Sequence, residues 1–132
     1  MLETLILIEN NEDEELEIED EIEFINLFRL IYKNRYHELM SKLDQYDLLN
    51  DRQKLKVVII KFLDYCQKLY QVILNNSNDS SDLSNLAKAL DREKFFDVIR
   101  FLPEFYRFID GYINLNLLWL KLFFLINKSF NK

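Results

Sequence analysis

The sequence predicts an all-α fold, a compact bundle of about five to six helices behind an acidic N-terminal arm, and three observations carry that prediction. Glycine and proline occur once each among 132 residues, at Gly111 and Pro103, so the residues that shape the tight turns of sandwiches and barrels are nearly missing. Apolar residues make up 49% of the chain and aromatic residues 14%, enough to fill the one core that a domain of this length buries. Those apolar residues recur over long stretches at i, i+3, i+4 and i+7, the spacing of a helix face.

Residues 1–21 read as the arm and 22–132 as one helical domain. Within the arm, Leu5-Ile6-Leu7-Ile8 is expected to pack as a short N-terminal extension, and the acidic run from Asn11 to Glu23 to become helical near Asp20, where carboxylates meet the positive end of a helix dipole. The first domain helix runs from Ile22 to about Lys33 through Ile25, Phe28, Ile31 and Tyr32. Asn34 offers an N-cap oxygen to a second helix ending near Asn50. Asp51 caps a third, whose residues Leu55, Ile59, Phe62, Cys66, Leu69 and Ile73 keep helical spacing most closely. The polar run Asn75–Ser81 is a loop. A short helix follows over Leu83–Leu90, then one capped by Asp91 that Pro103 kinks or splits and Gly111 stops. The last helix, Tyr112 to Ser129, is apolar around most of its circumference and has to be covered, by the rest of the chain or by a second one.

Residues 26–63 laid over 85–122 align at an offset of 59. Arg35-Tyr36-His37-Glu38-Leu39-Met40 meets Lys94-Phe95-Phe96-Asp97-Val98-Ile99, and Leu43, Ile59 and Leu63 meet Leu102, Leu118 and Leu122. The pattern predicts two stacked copies of a helix-turn-helix unit, with aromatics wedged at each junction. That junction chemistry resembles tetratricopeptide-type helical repeats. The alanine, glycine and tryptophan signature of those repeats is missing and two units are fewer than a typical array, so no family membership follows.

Charge is divided unevenly. The first 25 residues hold 11 acids and no bases, whereas residues 26–132 hold 12 acids and 17 bases; the net −6 of the chain therefore combines −11 at the N-terminus with +5 in the body. Lys54, Lys61 and Lys68 recur every seven residues, with Arg52 and Lys56 nearby. Intervals of ~10 Å along a helix suit contact with a phosphate backbone, and the same spacing equally describes a solvated polar face. These five residues are the candidate nucleic-acid face, and a solvated polar face is the commoner use of such a row.

Chemistry is sparse. One histidine and one cysteine do not make a thiolate–imidazole zinc cluster, and a nucleophilic pair would need His37 and Cys66 to meet in the fold. Cys66 falls on an apolar helix face and reads as a core thiol; His37 reads as a surface or junction residue. A single glycine excludes a glycine-rich phosphate loop and the acidic run lacks the central glycine of a Ca²⁺ loop. No enzyme, cofactor, metal or small-molecule substrate is expected. The N-terminus has no basic region and too short an apolar run for a signal peptide, so a cytoplasmic location is expected, and Asn114, Asn116 and Lys121 break the last helix short of a membrane span.

Three functions remain. The leading expectation is a non-enzymatic protein-interaction module, an adaptor, inhibitor or assembly subunit, that meets a partner or a second copy through Leu115, Leu118, Trp119, Leu122 and Phe123 of the apolar last helix. The second is a helical subunit of a ribonucleoprotein; small subunits of RNA-guided defence complexes are similar in size and class. The third is an acidic phage-type inhibitor whose arm imitates nucleic acid.

Overall fold

The computed structural model describes residues 24–75, 81–111 and 114–131; the acidic arm, the Leu5–Ile8 run, the start of the first domain helix, most of the polar loop and Tyr112 lie outside them. Six helices account for most of the described chain: α1 (residues 24–32), α2 (Tyr36–Gln45), α3 (Arg52–Asn75), α4 (Asp82–Lys88), α5 (Arg92–Phe108) and α6 (Leu115–Ser129). No strand occurs among the described residues; an isolated antiparallel bridge joins Leu90 to Phe130.

Side-chain caps set four of the helix starts, each oxygen accepting an orphan N–H of the first turn. Asp51 Oδ1 accepts from Lys54 N–H at 3.1 Å, Ser81 Oγ from Ser84 N–H at 3.2 Å, Asp91 Oδ2 from Lys94 N–H at 2.9 Å and Asn114 Oδ1 from Asn116 N–H at 2.8 Å. Asn34 is not the cap of α2. It has φ 59° and closes α1, with Arg35 N–H donating to the Leu30 carbonyl at 2.9 Å, while Arg35 takes the N-cap position without a side-chain cap. Asparagine serves either role because its short amide tolerates left-handed backbone. α2 also ends earlier than its composition suggests, at Gln45, because Asp47 turns left-handed at φ 61° and Leu48 N–H donates back to the Leu43 carbonyl.

Pro103 does not split its helix. It sits exposed on α5, which runs unbroken from Arg92 to Phe108, so the one missing donor is tolerated in the middle of a well-packed element. Gly111 follows that helix with an ordinary negative φ; its N–H donates to the Phe108 carbonyl at 3.0 Å, and no left-handed stop is made there.

α3 packs on α4 and α5, and α5 on α6. Two aromatic groups fill the spaces between them. In the first, Phe24 and Phe28 of α1 meet Phe62 and Tyr65 of α3, and Phe28 also meets Phe95 and Phe130. In the second, Trp119 stands edge-on to Phe105 at 5.2 Å and beside Phe123 at 5.8 Å, and Phe123 also meets Tyr36 at 6.3 Å. Rings at these spacings add to the area they bury through their quadrupoles.

The aligned halves share element order, each with a short helix, a three-residue junction and a second helix. Phe28 and Ala87, Ile31 and Leu90, Leu39 and Val98, Leu43 and Leu102, and Ile59 and Leu118 are buried at matching positions. Tyr46 and Phe105 differ: Tyr46 is exposed, whereas Phe105 lies in the core. The C-terminal end ties both junctions together. Asn127 Nδ2 donates to Asn34 Oδ1 at 2.7 Å and to the Tyr36 hydroxyl, and beyond it Asn131 N–H donates to the Ala89 carbonyl and Asp91 N–H to the Ser129 carbonyl.

Candidate interaction site

α6 is apolar on both sides, and the tertiary packing decides which side faces in. Leu115, Leu118, Trp119, Leu122 and Phe123, the five residues the sequence nominates as a partner interface, are all buried inside the chain's own core. Trp119 is 2% exposed, and its Nε1–H donates to the Leu48 carbonyl at 3.1 Å, so both the ring and its polar edge are satisfied internally. These residues are therefore closed to a partner in the folded chain.

Large apolar side chains instead face outward about half a helical turn away. Leu117 is 61% exposed, Leu120 46% and Phe124 63%, a row at i, i+3 and i+7. Exposed Lys121 and Lys128 flank this row, and Lys121 Nζ lies 4.9 Å from the centroid of the Phe101 ring, a cation–π contact that holds its stem along the surface. The sequence carried a signal for this face. Lys121 and Lys128 are seven residues apart on a helix otherwise short of charge, and mark the solvent side; Trp119, Leu122 and Ile126 lie opposite.

The basic row on α3 does not form an open face. Arg52 donates from Nη1 to the Ile109 carbonyl and Lys56 pairs with Asp110, so two of the five cations fasten the first turns of α3 to the C-terminal end of α5, where exposed carbonyls favour cations. Lys61 is buried. Lys68 lies 3.4 Å from Asp64 one turn away. Lys54 and Lys68 are the members that stay exposed.

Cys66 is fully buried on α3 and its thiol is pushed well above its ordinary pKa by burial away from water, the opposite of the shift that makes a thiolate nucleophile. His37 is exposed at the start of α2. Among the described residues no group of three or more His, Cys, Asp or Glu side chains is placed to hold a metal ion, and no helix is long and apolar enough to cross a membrane. Because the thiol is enclosed, its modification at pH 8 by a thiol-specific chromogenic disulfide should proceed only as fast as the core opens. Labelling at a rate typical of a free thiol, with the helical signal intact, would contradict that enclosure.

Comparison of the chain with protein-family models, with characterised proteins and with solved structures gave no match.

Proposed function

We propose that the chain is a non-enzymatic helical module that binds another protein through the outward face of α6, as an adaptor, an inhibitor or a subunit of a larger assembly. The observation that carries this reading is the row Leu117, Leu120 and Phe124, held open to solvent on a helix whose other face is anchored in the core. Fully covering a leucine or phenylalanine is worth roughly 1.5–3 kcal/mol each, and an exposed aromatic ring such as Phe124 is the kind of group that anchors an interface. The row is too short to be a complete interface, so it supplies the apolar centre of one. Lys121 and Lys128 beside it favour a partner whose apolar groove has an acidic rim.

The test is a photo-crosslinking residue at position 124, with Leu117→Gln/Phe124→Gln as the comparison. Both positions are exposed, so the double variant should melt within about 0.5 kcal/mol of wild type while losing the crosslinked partner. A partner retained by the folded double variant, or no crosslink from position 124 in the native cells, would remove the α6 face from consideration.

A further inference from the structure

The end of the bundle where α1, α4 and α6 terminate gathers positive charge from separate parts of the chain. The contacts that define this pole are the Tyr32 and Phe130 rings at 5.1 Å, Asn127 Nδ2 to Asn34 Oδ1 at 2.7 Å, and Asn131 N–H to the Ala89 carbonyl at 2.9 Å. Lys33, Lys88 and Lys128 are each the chain neighbour of a residue in those contacts, and all three are exposed. Arg92 begins α5 at the same pole. Of the described carboxylates there, Glu38 lies 3.9 Å from Arg35, Asp91 caps α5 and Glu93 is exposed in the first turn of the same helix. Among the described residues neither Lys33, Lys88 nor Lys128 pairs with a carboxylate.

We infer that this pole, with Lys33, Lys88 and Lys128 around the half-exposed ring of Tyr32, is a binding surface for single-stranded nucleic acid. Lysine ammoniums are compact, hydrated point charges that hold phosphates without requiring one geometry, whereas pairing with carboxylates favours the fork of arginine. Tyr32 is 48% exposed at the pole these lysines share, and an exposed ring on a positively charged surface is the arrangement on which an unpaired base stacks while its backbone is held. Lysines near helix C-termini also offset the helix dipoles, and their exposed ammonium groups remain available to a phosphate. The net negative charge of the chain lies in its first 25 residues, while residues 26–132 carry +5. The pole shares Lys128 with the edge of the Leu117, Leu120 and Phe124 row, but Lys33, Lys88 and Tyr32 lie on other segments and the inference does not depend on that row being an interface.

Fluorescence anisotropy of a labelled oligouridine about 20 nucleotides long, titrated with the full chain at about 50 mM salt, tests the inference. Wild type is expected to bind, and Lys33→Gln/Lys88→Gln/Lys128→Gln to bind about tenfold more weakly with a log–log salt slope shallower by about 2, since each phosphate contact on a single strand contributes about 0.7. Arginine at the same three positions should restore binding. Lys54→Gln/Lys68→Gln on α3 should behave as wild type. Tyr32→Leu should weaken oligouridine about tenfold and leave binding to a duplex of equal length unchanged. The inference is overturned by absence of wild-type binding, by full affinity in the folded triple lysine variant, or by an equal loss in the α3 variant. It is also overturned if the pole lysines hold a labelled polyglutamate peptide while oligouridine stays free, an outcome that assigns the pole to an acidic protein segment.

Discussion

Trp119→Ala is expected to lower the unfolding free energy by about 3–5 kcal/mol and to leave much of the chain unfolded at physiological temperature. The indole fills the space between α5 and α6 against Phe105 and Phe123, and deleting it removes both the transferred area and the contacts of the cavity walls. A second loss adds to the first: the Leu48 carbonyl accepts from the indole N–H at 3.1 Å in a buried setting, and an acceptor left without its donor costs about 1–3 kcal/mol. Trp119→Phe separates the two terms, since it keeps much of the ring and removes the donor. The expected order in a denaturant melt is wild type, then Trp119→Phe, then Trp119→Ala. A folded alanine variant that differs from wild type only in sedimentation would return Trp119 to an interface and contradict its burial.

The same residue shows what the sequence conveyed and what it withheld. That α6 is a helix in need of cover is legible from its composition; which side is covered is signalled only by Lys121 and Lys128, because Leu117, Leu118, Leu120 and Leu122 are chemically alike and it is packing against α5 that separates them. α3 was readable because Leu55, Ile59, Phe62, Cys66 and Leu69 keep one period and all five are buried, and the caps at Asp51 and Asp91 because an acidic residue before an apolar run has one dominant use. Asn34 and Asp47 have two uses, N-cap and left-handed turn, and tertiary context selects the second. The lysine periodicity on α3 was real, but the groups that occupy Arg52 and Lys56 come from the end of α5, and no local pattern reports a contact between such distant segments. The pole around Tyr32 was hidden for the same reason, as its lysines share no helix.

Phe28→Ala is expected to match the damage of Trp119→Ala, about 3–5 kcal/mol, and to spread it differently. Phe28 is fully buried and meets Phe62 and Tyr65 of α3, Phe95 of α5 and Phe130 beyond α6, so one ring joins four segments. Its aligned counterpart Ala87 is also buried, which shows that the two halves fill matching positions with very different volumes; the large residue is needed where the C-terminal end folds back. Without the ring, Phe130 loses its inner contact and retains Tyr32 on its outer side, and the hydrogen bond from Asn131 N–H to the Ala89 carbonyl loses the packing that shields it from water. Hydrogen exchange should therefore rise first at Asp91 and Asn131, whose N–H groups make the bridge to the C-terminal end, and later in α3. Phe28→Leu, which refills part of the volume, should recover a large share of the stability and slow exchange at those two amides. Uniformly faster exchange across α3 and α5, with Asp91 and Asn131 no faster than the rest, would show that the C-terminal fold-back does not depend on Phe28.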